Sequence, residues 1–161
     1  MYISIPMISV KFLEGVVIEA TFLDGKIMRY DMAKMFDKYP NLKELESNRR
    51  LFESGYIDID GLGLIWNDDL DFEAESIYYE GWQVGRTSTT LNQQIAYRII
   101  KLREESGLTQ FQLAKLTGID QGDICKLERA QGNPTLKKIN KILDALNAYA
   151  DVRFIKKKDT D

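Results

Sequence analysis

The segment Gly107–Pro134, GLTQFQLAKLTGIDQGDICKLERAQGNP, constrains the fold more than any other part of the chain. It encodes two short helices and a tight turn. Thr109 precedes Gln112 by three residues, a capping-box spacing in which hydroxyl and amide satisfy free N–H groups at a helix start. Leu113, Ala114 and Leu116 give that helix an apolar face, and Thr117-Gly118 ends it, because Gly accepts positive φ at no steric cost. Asp120 can cap the next helix, whose inward positions are Ile124, Leu127 and Cys125. Gln121, Gly122, Asp123 and Lys126 are left facing outward. Glutamine and lysine near the start of a second, turn-linked helix suit major-groove reading. The plainer reading is a helical hairpin whose outer face is polar only because it is solvated.

These residues carry a family resemblance. From about Ile95 to Asn147 the chain resembles the Cro/cI, or XRE-type, helix-turn-helix domain. The matching elements, in order, are Arg103, Gly107-Leu108-Thr109-Gln110, Leu113-Ala114, Gly118-Ile119, Ile124, Leu127-Glu128-Arg129 and Asn133-Pro134. The resemblance implies an all-α, lambda-repressor-like fold and an Arg103–Glu128 ion pair that fixes geometry rather than adding net stability. It also implies DNA contacts. Thr109 and Gln110 would lie over the backbone, with Gln110 touching a phosphate or a base edge. Gln121 would read adenine N6/N7, and Lys126 would meet guanine O6/N7 or a phosphate. Arg129, Gln131 and Asn133 would hold the backbone and set position. Three positions depart from the family pattern. Gly122 replaces a longer reading side chain, which permits close approach or reduces the number of bases read. Asp123 would be repelled by phosphates unless it accepts from cytosine N4. Ala130 stands where relatives commonly have Gly, so the loop after the reading helix can start differently.

Charge divides the chain in two. Residues 1–88 hold 9 Lys+Arg against 16 Asp+Glu, a net of −7, whereas residues 89–161 hold 13 against 9, a net of +4. The overall acidity therefore does not argue against nucleic acid, since the charge of the binding domain is what counts. Histidine is absent and Cys125 is the only cysteine. Disulfide frameworks, Cys/His metal sites and His-dependent nucleophiles are thereby excluded. No catalytic residue, metal or cofactor is expected, and the chain does not read as an enzyme. There is no apolar run near 18 residues and no basic-then-apolar leader, so a cytoplasmic protein without membrane attachment is expected.

The first half reads as α+β. Ile8–Leu13 and Val16–Phe22 alternate, and Asp24-Gly25 marks a hairpin returning through Lys26–Asp31. A short helix over Met32–Tyr39 ends at Pro40, and Asn41 with Glu44 caps another carrying Leu42, Leu45 and Leu51-Phe52. Tyr56–Asp60 and Leu62–Trp66 form a second hairpin, after which Asp71 can cap a helix over Phe72–Glu80. This order resembles a small bacterial domain of unknown function that occurs joined to XRE-type domains. The features shared with it are the strand–Asp-Gly–strand opening, the Gly-Leu-Ile-Trp strand and the Asp-Leu turn. The expected organisation is an α+β domain over 1–82, a linker over 83–90 (QVGRTSTT), and a five-helix domain with a strand-like tail over 91–161. The last helix would bury Leu136, Ile139, Ile142, Leu143 and Leu146.

The remaining candidates have plain readings. Cys125 reads as packing rather than a redox sensor. The acidic run Asp68–Glu75 lacks calcium-loop spacing and reads as a solvated turn. Trp66, Trp82, Tyr78 and Tyr79 read as core or domain-interface aromatics, or as a partner patch. Val152–Ile155 adds an edge strand across a dimer or covers its own domain, with Lys156–Lys158 as gatekeepers or phosphate contacts. The expected function is a sequence-specific, dimeric transcriptional regulator bound to double-stranded DNA, with a partner or effector site on the first domain. The rival reading is an antitoxin-like protein that binds a toxin and autoregulates its operon, since the VRFIK ending also looks like antitoxins of the HigA type.

Overall fold

The computed structural model describes residues 2–156. The chain opens with three antiparallel strands, β1 (Met7–Phe12), β2 (Val17–Phe22) and β3 (Lys26–Asp31). Their alternation has a direct consequence: Ile18, Ala20 and Phe22 point inward with no exposed surface, while Glu19 and Thr21 face out. The β2–β3 turn needs Gly25, whose φ is +86° and where a Cβ would come within 2.6 Å of the Thr87 carbonyl.

After β3, two 3-10 turns (Met32–Met35 and Pro40–Lys43) and two short helices, α1 (Glu44–Ser47) and α2 (Arg49–Glu53), cover the core. The expected Asn41 cap is not formed; Asn48 caps instead, accepting from Leu51 N–H at 3.1 Å. A second sheet of β4 (Tyr56–Ile57), β5 (Gly63–Asn67) and β6 (Leu70–Glu73) follows, in that order. Strand β6 occupies the start of the helix anticipated over Phe72–Glu80. Leu70 and Phe72 alternate inward while Asp71 and Glu73 face out, and that period of two holds until α3 (Ala74–Glu80) begins. Trp66 is buried with its indole N–H donating to Phe52 C=O at 2.8 Å.

The expected linker over 83–90 needs correction. Trp82–Arg86 is a strand, β7, paired antiparallel to β3 (Lys26 opposite Arg86, Arg29 opposite Trp82), and it completes the sheet order β1-β2-β3-β7. It is an edge strand whose residues are exposed on both faces, and its polar composition does not separate it from a linker. Thr87 N–H still bonds Gly25 C=O at 2.8 Å, so little chain is left before the next helix.

Four α-helices rather than five follow among the described residues: α4 (Leu91–Glu105), α5 (Gln110–Thr117), α6 (Gln121–Glu128) and α7 (Leu136–Ala145). Their core is Ile99, Leu113, Ala114, Ile124, Leu127, Ile142 and Leu146. Leu116 and Leu136 lie outside it, 61% and 79% exposed, contrary to expectation. Thr117 takes the inward place one residue on from Leu116, its hydroxyl donating to Leu113 C=O at 2.8 Å. Leu136 is the first residue of α7, a turn before the helix meets the core.

Helix α4 has two buried faces. Ile99, flanked by Ile95 and Leu102, belongs to the helical core, whereas Ala96 and Ile100 join the core of the sheet domain. Ser4 N–H also donates to Glu104 Oε2 at 2.9 Å. The described part of the tail, residues 151–156, forms no strand and is exposed throughout. Lys157 and Lys158 lie outside the described residues. No described helix is long and apolar enough to cross a membrane.

Candidate nucleic-acid interface

Every helix of the second half starts on a side-chain cap, which positions the ends of α5 and α6 closely. Thr90 and Gln93 form a reciprocal capping box on α4, and Thr109 and Gln112 form one on α5, with bonds of 2.8 and 3.1 Å in the latter. Gly118 ends α5 at φ +63°, in the left-handed conformation that turns the chain into α6. Asp120 caps α6 by accepting from Gly122 N–H at 2.8 Å. A Cβ on residue 122 would sit 3.0 Å from that capping oxygen, which makes Gly a good fit for this cap.

Beneath these caps lies a polar clasp. Arg103 of α4 binds Glu128 at the end of α6 through two parallel bonds, Nε–Oε1 at 2.5 Å and Nη2–Oε2 at 2.9 Å. Arg103 Nη1 also donates to Leu108 C=O at 2.8 Å, and Gln110 Nε2 donates to Glu128 Oε2 at 2.9 Å. Both charged residues are buried. Burial opposes the Arg103 charge, but the hydrogen bond and charge of Glu128 prevail and raise its pKa above the ordinary value. One fork-shaped guanidinium thus ties α4, the α4–α5 turn and α6 into a fixed angle.

The outward face of α6 presents Gln121, Gly122 and Lys126, all exposed, along the side opposite Ile124 and Leu127. Asp123 is half-buried, and Lys138 Nζ of α7 lies 2.7 Å from its Oδ2. Arg129 is the half-buried C-cap of α6, while Gln131 and Asn133 are exposed in the loop that follows. Thr109 is exposed at the start of α5. Gln110, half-buried beside it, has one amide hydrogen committed to Glu128. Of the named residues, Asp123, Lys126, Gln131 and Asn133 border one cleft, and Gln110 is tied to Glu128.

Four contacts or conformations of the helical half have no local signal in the sequence. Lys138 is fifteen positions from Asp123, and its pairing needs α7 folded back across α6. Ala130 adopts φ +56°, the conformation a Gly would take most readily, and its methyl packs against the core cluster that Ala96 and Ile100 of α4 share with the sheet domain. The Cys125 thiol donates to Asp60 Oδ1 at 3.2 Å, so the first domain reaches the side of α6. Burial first, then the hydrogen bond and charge of Asp60, push the thiol's pKa up, which leaves Cys125 a weak nucleophile. Lastly, Ser4 ties the N-terminal segment to α4 through Glu104. Among the described residues no three His, Cys, Asp or Glu side chains are grouped to hold a metal ion.

Comparison with known proteins matches the two halves to two families. Residues 99–151 match the family described as Helix-turn-helix. Residues 7–81 match the family described as Protein of unknown function (DUF2442). No match is found among curated proteins. One similar solved structure is a candidate DNA-binding protein of Nitrosomonas europaea, 16% identical, with a TM-score of 0.43 over 88% of this chain and 86% of that one. The helix-turn-helix is a DNA-binding architecture. The chain thus joins a DUF2442 domain at its N-terminus to an XRE-type helix-turn-helix domain at its C-terminus.

Proposed function

We propose that the protein is a sequence-specific DNA-binding transcriptional regulator that lays α6 in the major groove. The observation that carries this is the exposed row Gln121–Gly122–Lys126 on a capped helix held at a fixed angle by Arg103 and Glu128. Gln121 supplies the donor–acceptor pair that adenine N6/N7 requires, and Lys126 supplies a cation for guanine O6/N7 or a phosphate. Thr109, Gln110, Arg129, Gln131 and Asn133 flank the helix where phosphates would run, and fix register rather than sequence. Two copies would read half-sites about 34 Å apart.

The test is fluorescence anisotropy against the DNA upstream of the protein's own reading frame and a scrambled duplex, over a salt series. The expected result is preference for the first duplex, blunted by Gln121→Ala, with affinity falling steeply as salt rises. Equal weak binding to both, unmoved by Gln121→Ala or Lys126→Ala, would remove the groove-reading role.

One observation favours a second reading, an antitoxin-like protein. Val152, Phe154 and Ile155 stand 66%, 93% and 87% exposed at the end of the described chain, apolar side chains without cover in the monomer. Co-purification of a small basic protein from the native operon, lost on deleting residues 152–155, would support it.

A further inference from the structure

Asp123 is the one residue on the outward side of α6 whose chemistry opposes the proposed role, because a bare carboxylate there is repelled by the phosphates flanking a groove. It is not bare. Lys138 Nζ lies 2.7 Å from Asp123 Oδ2. Lys138 stands in the first turn of α7, where its backbone N–H bonds Thr135 Oγ1 at 3.2 Å, so the cap that starts α7 also anchors the lysine stem. The two side chains border a cleft of about 90 Å³ shared with Lys126, Gln131 and Asn133. The hydrogen bond from Lys138, then its charge, hold the Asp123 carboxyl below the usual carboxylate range, so Asp123 is a carboxylate at neutral pH.

Resting on the groove-reading proposal, we infer that Lys138 is a specificity-determining residue that acts through Asp123. By holding the carboxylate toward α7, it keeps position 123 silent and leaves base reading to Gln121 and Lys126. An ionised Asp accepts hydrogen bonds and donates none. The major groove offers it two donors, adenine N6 and cytosine N4, and the carboxylate favours cytosine, because the adenine amino group lies beside the N7 acceptor, which repels a second acceptor. Loss of Lys138 therefore has two effects that loss of a simple phosphate contact lacks. The preferred DNA sequence gains a cytosine, and neutralising Asp123 repairs the affinity.

The experiment uses the full chain as wild type, Lys138→Met, Asp123→Asn and the double variant, with thermal melts to confirm folding and Lys138→Gln as a second form of the key change. Each protein selects from a pool of random 20-bp duplexes, and anisotropy at fixed salt then measures binding to the duplex that wild type enriches. Lys138→Met and Lys138→Gln are expected to bind that duplex about tenfold more weakly, the order of one base contact, and to enrich a site with an added cytosine in each half. Asp123→Asn placed on Lys138→Met should recover affinity to within about threefold of wild type. An unchanged site for both Lys138 variants overturns the inference, as does an Asp123→Asn effect of equal size in both backgrounds, and either leaves groove reading intact. Should wild type itself enrich nothing, groove reading falls and the inference falls with it.

Discussion

The two domains are held together by different means. The first is built on sheet alternation and large aromatic side chains, with Tyr30, Phe22 and Phe52 fully buried, and it carries a net of −7. The second has a core of seven buried aliphatic side chains, none aromatic, on a net of +4. A core that small leaves little margin against chain entropy. A second face of α4, given to the neighbouring core through Ala96 and Ile100, offsets this, while the buried Arg103–Glu128 clasp fixes the angle between the helices without adding net stability. The lesson is that the helical domain is fixed by geometry and by its neighbour more than by its own bulk.

Breaking the clasp should have the largest effect. Glu128→Ala strands a buried guanidinium, at a cost of about 3–5 kcal/mol. Urea denaturation can locate that loss, because Trp66 and Trp82 both lie in the first domain while most α-helix lies in the second. A fall in the far-UV helical midpoint is expected. Arg103→Met with Glu128→Leu should restore most of it, since an apolar pair of similar volume avoids the buried charge. A single Glu128→Ala variant with an unchanged midpoint would end the idea that the second domain depends on this pair.

Ile100→Ala sharpens the same comparison. Ile100 is 2% exposed in the first domain's core although its helix belongs to the second. The substitution should cost about 2–5 kcal/mol, and the tryptophan and helical transitions should shift together. Ile99→Ala, one residue away but facing the other core, should move the helical signal more than the tryptophan signal. Equal effects from the two would mean that the domains share one cooperative unit. Leu116→Ala is the control: at 61% exposed it should change stability by no more than about 0.5 kcal/mol.

What was legible in the sequence follows from how local each signal is. Capping boxes span four residues, so Thr90/Gln93 and Thr109/Gln112 can be read directly, as can the Asp24-Gly25 turn. Helical period identified Ile124 and Leu127 as inward. It failed at Leu116 and Leu136, where an apolar residue on a short helix happens to face water. The β7 strand was missed because an edge strand and a linker have the same composition, and pairing with β3 is a contact across more than fifty residues. The surface around α6 was legible as residue types but not as partnerships. No local spacing links Asp123 to Lys138, Cys125 to Asp60 or Ala130 to a neighbouring core.

The contrast in charge yields a smaller prediction. On the proposed docking, Asp60 lies beside the reading helix, where it accepts from the Cys125 thiol. A unit charge ~10 Å from a phosphate in water is worth about 0.4 kcal/mol before screening. Asp60→Asn should therefore tighten DNA binding about twofold at low salt and scarcely at all at 0.5 M. A gain that persists at high salt would point instead to a changed domain arrangement.

The smallest effect is expected at Ala130, where two terms of similar size oppose. Its φ of +56° costs an L-residue roughly 1–2 kcal/mol, which Gly would not incur. Gly would in turn lose about 0.8 kcal/mol of methyl burial against the first domain, and would add about 0.5–1 kcal/mol of backbone entropy to the unfolded chain. The net for Ala130→Gly should lie within about 0.5 kcal/mol of zero. Its real consequence is local, since the methyl packs against the core cluster that α4 shares with the first domain. Hydrogen exchange at the amides of residues 129–133 should therefore quicken while the global urea midpoint stays in place. A clear gain in stability with unchanged exchange would show that strain, not contact with the neighbouring core, dominates at this position.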